Sequence, residues 1–134
     1  MSASWALQQA IYAALTMDDG VSEALDGRVF DTPPRAASFP YCVIGDDVAS
    51  DWSTATEKGS EHALTVHVWS RADGQMQAKL AAEAVRDALD GAELAITGQV
   101  LIALSHLATE HARESDGETV HALLRFRAVL EEGE

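Results

Sequence analysis

An Asp116-Gly117 pair stands between two long runs, roughly 99–112 and 118–131. Asp-Gly accepts the left-handed backbone of a tight hairpin turn, so the two runs read as paired antiparallel strands. In the second run, Val120, Ala122, Leu124, Phe126, Ala128 and Leu130 alternate with His121, Leu123, Arg125, Arg127 and Val129. That is the two-residue period of a strand with distinct faces. The end of the chain is thereby committed to a sheet.

A second hairpin is legible upstream. Tyr41 to about Ala49 reads as a strand, and so does "EHALTVHVWSR", in which Leu64, Val66 and Val68 alternate with Thr65, His67 and Trp69. Residues 50–60 connect them as a long polar tip. Between the hairpins lies the clearest helix, "ADGQMQAKLAAEAVRDALDG", with Asp73 as its cap and Gly91 as its stop. Leu80, Ala81, Ala84, Val85, Ala88 and Leu89 form its apolar stripe, and the small alanines imply close approach to a sheet. Another helix follows Ser4 as N-cap, with Leu7, Ile11, Ala14 and Leu15 at helical spacing, and ends at Gly20. "VSEALDG" reads as a short turn. Leu94 and Ile96 offer a short edge strand before Gly98. The expectation is an α+β domain spanning 1–134, an antiparallel sheet of about four strands with two helices packed on one face. The helical crossover leaves room for one parallel contact at the centre of the sheet.

Pro33, Pro34 and Pro40 restrict the backbone ahead of the Tyr41 strand. An arm so restricted loses less entropy when it docks on a partner. It therefore reads as a presented surface.

The chain has 134 residues, enough for one core without staples, and a single cysteine, Cys42, in an apolar run. No stretch approaches the length of a membrane span, and no basic segment precedes an apolar run at the N-terminus. The formal charge is −13, from 22 acids and 9 bases, which argues against a surface that binds phosphates. The acids either serve solubility or form a surface that repels a negative partner.

With two helices on one face, the other sheet face is expected to be polar, and it is not cleanly so. Leu123 and Val129 flank Arg125 and Arg127, Trp69 lies opposite Leu64, Val66 and Val68, and 100–104 is apolar on both sides. Such a mixture implies cover by another subunit. Chemistry, by contrast, finds no support. His62, His67, His106, His111 and His121 lack the spacing of a metal site and read as strand histidines that stack on or pair with neighbours. Asp46-Asp47 are sequence neighbours near a turn and cannot form a dyad. Trp52 either folds back over the sheet edge or anchors a partner.

Four segments, "LQQAIYAAL", "GRVFDTPPRAASFPYCVIGDD", "DWSTATEKGSEHALTVHVWSR" and "HALLRFRAVLE", together resemble the tail terminator (tail completion) family of tailed phages, above all the version in gene transfer agents. The resemblance spans nearly the whole chain. It implies a non-enzymatic assembly subunit without cofactor or metal. It further implies a homo-oligomeric ring, usually a hexamer, that caps the tail tube, meets a head connector or stopper protein, and lets DNA pass without specific binding. Such a protein is cytoplasmic during assembly and then sits at the head–tail junction, with no membrane partner. Subunit or ring-to-ring contacts are then expected at Pro33, Pro34 and Arg35 in the arm, and at Asp51, Trp52, Glu57 and Lys58 in the tip. Trp69, Arg125 and Arg127 on the sheet complete the set, and Asp46 and Asp47 are expected to line the conduit. Two other classes stay open: a small-molecule-binding or enzymatic α+β domain, and an acidic mimic of DNA.

Overall fold

The computed structural model describes residues 2–72 and 74–133. Its elements are α1 (Ala3–Met17), α2 (Asp19–Leu25), β1 (Val29–Phe30), β2 (Tyr41–Asp51), β3 (Gly59–Ser70), α3 (Met76–Leu89), β4 (Gln99–Arg113) and β5 (Val120–Glu132). The sheet runs β1-β2-β3-β5-β4, antiparallel except for β1 and β2.

Five strands and three helices replace the four and two expected. The seven residues of α2 were read as a turn. Asp18 ends α1 and caps α2, its Oδ2 accepting from the Val21 N–H at 2.9 Å, and Asp26 closes α2 in a left-handed conformation at φ 52°. Gly20 thus lies inside α2 and does not end α1. The cap of α1 is Ser2, whose Oγ accepts from the Trp5 N–H, rather than Ser4. The expected cap at Asp73 lies outside the described residues; α3 begins at Met76 after Gln75, which makes no side-chain cap.

The parallel contact is real but sits at the sheet edge, where Val29 and Phe30 pair with Cys42 and Val43. Two adjacent parallel strands need a crossover, and residues 31–40 provide it. The proline arm is this crossover. Arg28 holds its far end, donating from Nε to the Pro40 carbonyl at 2.8 Å. Pro33 is half-buried, while Pro34 and Arg35 are exposed. Leu94 and Ile96 form no strand; Ile96 makes an isolated bridge to Gln99.

The core lies between the helices and one sheet face. Leu7, Ile11 and Leu15 of α1, with Val85 and Leu89 of α3, close over Val66, Val68, Leu124 and Phe126. The alternation read in β5 holds, since Val120, Ala122, Leu124, Phe126, Ala128 and Leu130 are all buried. In α3 the alanines Ala78, Ala81 and Ala82 face the core, but Leu80 is 55% exposed and leaves the expected stripe. It sits one position off the arc that the closely packed alanines define.

Candidate functional site

Three features of the sheet position the residues of interest. The first is a β-bulge in β2. Ile44 pairs with Val66 and Asp47 with Leu64, so Gly45 and Asp46 together oppose one residue of β3. The extra residue turns Asp47 to the helix side, beside His62. His62 is fully buried. Its Nδ1 lies 3.1 and 3.2 Å from the two Asp47 oxygens, and its Nε2 lies 2.9 Å from Ser60 Oγ. With a proton on Nδ1 the ring donates to Asp47, while Nε2 bonds the Ser60 hydroxyl. The order Ser–His–Asp is that of a nucleophilic relay, but a ring sealed in the core serves to pin the bulge.

The second feature lies on the sheet face away from the helices. Trp69 stacks on His121 at 3.8 Å between centroids and 4° between planes, and His67 stacks on His121 at 4.9 Å and 12°. His67 Nδ1 is 2.7 Å from His121 Nε2, and His121 Nδ1 is 3.3 Å from Glu114 Oε1. The cross-strand pairs Trp69–His121 and His67–Leu123 place these rings together. Burial lowers the pKa of both histidines, so the neutral forms are favoured. The expected pairing and stacking of strand histidines is found here. Beside the stack, Phe39, Tyr41, Arg71 and Thr119 line a cleft of about 340 Å³. Arg71 lies 4.5 Å over the Phe39 ring and donates to Thr119 Oγ1 at 3.0 Å.

The third feature is the hairpin tip. β2 and β3 extend further than the sequence suggested, leaving 52–58 as the connection. The Trp52 N–H donates to the Gly59 carbonyl at 3.0 Å, and the Thr54 N–H to the Glu57 carbonyl at 2.7 Å. Asp51 accepts from the Ser53 hydroxyl at 2.6 Å, which lowers its pKa. Trp52 is 40% exposed and its ring lies over Gly59, so it folds back and still offers an indole face. Glu57 and Lys58 are exposed at the tip.

The contact residues inferred from sequence do not form one cluster. Asp51, Trp52, Glu57 and Lys58 share the tip; Trp69, Arg125 and Arg127 share the open face; Pro33, Pro34 and Arg35 belong to the crossover. Two arginines expected to serve neighbours are paired at home, Arg125 with Glu110 and Arg127 with Glu61, and Arg71 likewise pairs with Asp116. Asp46 is exposed at the bulge, whereas the Asp47 carboxylate is engaged by His62. Cys42 is buried, and burial pushes its thiol up to about 12, so it is no nucleophile at neutral pH. Among the described residues no three His, Cys, Asp or Glu side chains gather as a metal site. No described helix is long and apolar enough to cross a membrane.

The large exposed apolar side chains are not centred on the open face. Val129 is buried and Leu123 half-buried there. Exposed apolar side chains include Trp5, Tyr12 and Met17 on α1, Val48 and Trp52 at the β2 end, Met76 and Leu80 on α3, and Val100, Ile102 and Leu107 on β4. Sequence reasoning singled out 100–104 as apolar on both sides but missed Trp5 and Tyr12, although they lie in a long run without charge.

Residues 9–131 match the family model of the tail completion protein gp17. The chain belongs to this family. Tail completion protein gp17 of Bacillus phage SPP1 is 26% identical over 128 residues, covering 96% of this chain and 94% of the phage protein. Its solved structure matches with a TM-score of 0.64 at 25% identity, over 94% of this chain and 89% of that one. A chain in the virion of a native gene transfer agent particle matches more fully, with a TM-score of 0.91 at 32% identity, over 97% and 98% of the two chains. The family named from the sequence is therefore the family found, and one matched chain is part of a gene transfer agent virion.

Proposed function

We propose that the protein is a ring-forming subunit that ends the tail tube of a phage-like particle and joins it to the head connector, leaving a passage for DNA. The observation that carries this reading is the whole-length likeness to a chain of a gene transfer agent virion. Physical features support it. The tip, held by its own hydrogen bonds, and the anchored crossover are protrusions suited to meeting layers above and below. The buried Cys42 thiol and the buried His62 ring leave neither group open to a substrate, which favours an assembly role over an enzymatic one.

The charge fits a conduit. A wall richer in acid than in base repels phosphates, so a duplex slides without adhering. With three arginines already paired within the chain, contacts between copies are apolar or locally paired, because like-charged subunits repel elsewhere. Mass measurement of the purified chain, alone and with a tail-tube protein, tests the reading. A closed oligomer, favoured by moderate salt that screens charges over about 8–10 Å, is the expected result. A monomer under every condition, with and without the tube protein, refutes it.

A further inference from the structure

We infer that neighbouring copies in the ring meet head to tail, the outer face of α1 on one copy packing into the β4-side groove of the next. This inference rests on the ring reading above and adds the surfaces that make the contact.

The two longest stretches without Asp, Glu, Lys or Arg are 2–17 and 94–109, in a chain with 23% charged residues and a net charge of −13. The first is essentially α1, and the second holds the groove loop and most of β4. Burial alone does not explain the lack of charge. Trp5 is 47% exposed and Tyr12 46%, and they share the outer side of α1 with exposed Gln9. On the second stretch Val100 is 51% exposed, Ile102 47% and Leu107 59%. Solvent-facing positions on an acidic protein ordinarily carry charge, as the outer side of α3 does with Lys79, Glu83, Arg86 and Asp87. Two exposed surfaces so poor in charge, with Glu93 the one acid lining the groove, are the places where identical negative chains can approach with least repulsion. A partner of opposite charge would gain nothing by choosing them. The occupant is a second copy of this chain.

Their placement fits a repeating contact. α1 packs over β1 and β2, whereas β4 is the far edge of the sheet. A subunit with one patch toward each end of the strand order is suited to a heterologous contact, which closes into a ring when the rotation allows. The shapes also differ as required. Trp5 and Tyr12 project from a helix, and aromatic side chains are common anchors. The β4 side is concave, a groove of about 700 Å³ between Gly91–Ile96 and Gln99–Ser105.

Strand addition is not the mode of contact. The outer edge of β4 is occupied where the Gly91 N–H donates to the Leu104 carbonyl at 2.8 Å and the His106 N–H to Asp90 Oδ1 at 2.9 Å. Register shifts at Leu101/Ala103 and His106/Ala108 interrupt the strand, which discourages edge-to-edge pairing. Ile102 and Leu107 are the inserted residues, and both are exposed. The bulges that block a further strand supply the apolar knobs of the side-chain contact.

Tyr12→Glu and Ile102→Glu each place an acid in one of the two surfaces. Each variant should keep the parent's circular dichroism and melting behaviour, because both positions are exposed. Each should raise the concentration for assembly by about a hundredfold or more, as a buried unpaired charge does. An equal mixture of the two should form a heterodimer and nothing larger, since one intact surface of each kind remains. Sedimentation and native mass spectrometry read these species. Val100→Glu replaces Ile102→Glu should the latter fail to fold. Rings formed by either single variant, or a mixture that stays monomeric while the parent forms rings, overturn the assignment of the surfaces and leave the ring reading standing. A parent chain that never assembles, with or without tube protein, overturns both.

Discussion

Replacing His62 separates the roles of volume and hydrogen bonding at the β2 bulge. The ring is fully buried, with Asp47 on Nδ1 and Ser60 on Nε2. His62→Ala leaves a void on the order of 65 Å³, which at about 24 cal/mol per Å³ costs about 1.5 kcal/mol. Two polar partners also lose their bond. An unpaired buried group costs about 1–3 kcal/mol, and the lower end applies because the Asp47 side chain keeps 23% of its exposure. The sum is about 3 kcal/mol. His62→Phe fills the void and should cost only the polar part, about 1–1.5 kcal/mol. Asp47→Ala should cost about as much as His62→Phe. Because both changes break one bond, the double variant His62→Ala, Asp47→Ala should be no worse than His62→Ala alone, a coupling of about 1 kcal/mol. Urea unfolding of dilute protein measures all four. A loss below about 0.5 kcal/mol for His62→Ala, or strict additivity in the double variant, would refute the claim that the relay pins the bulge.

Three further outcomes are expected. A Cβ on Gly45 would lie 2.5 Å from Thr65 Oγ1 and 2.7 Å from the His67 ring, so Gly45→Ala should destabilise by about 1–3 kcal/mol through overpacking; unchanged thermal stability counts against that packing. The His67–His121 bond needs one bare nitrogen, and both folded pKa values lie below the ordinary 6.5. The unfolded chain therefore binds more protons below about pH 6.5, so this contribution is complete above that pH and is lost as pH falls through the lowered folded values. His121→Gln should flatten that part of the stability profile, and an unaltered slope would contradict it. Trp52→Ala should leave stability within about 1 kcal/mol of the parent and lower the yield of joined particles; full yield would remove Trp52 from the contact set.

The long elements were legible because each carries its own period. β5 alternates buried and less buried residues from Val120 to Ala128, and α1 places its buried leucines and isoleucine at helical spacing. What was missed is short or non-local. β1 has two residues and α2 seven, too few to show a period. The crossover role of the prolines depends on Val29 finding Cys42, a pairing that no local pattern encodes. At the candidate site, sequence reasoning picked residues by chemical type, and the fold spent several of them internally. Arg125 and Arg127 meet acids on neighbouring strands, and Asp47 meets a histidine 15 positions away. The two-sided apolar run at 100–104 was visible in the sequence, but the exposure of Tyr12 was not.

The last strand in the chain is an inner strand of the sheet, seated between β3 and β4. A growing chain therefore holds two unmatched strand edges until its final residues emerge. Before that moment neither the helix layer nor the β4 groove has a finished floor. Until β5 is made, β3 and β4 have no common neighbour, so a chain lacking β5 cannot close the sheet against which α1 and α3 pack.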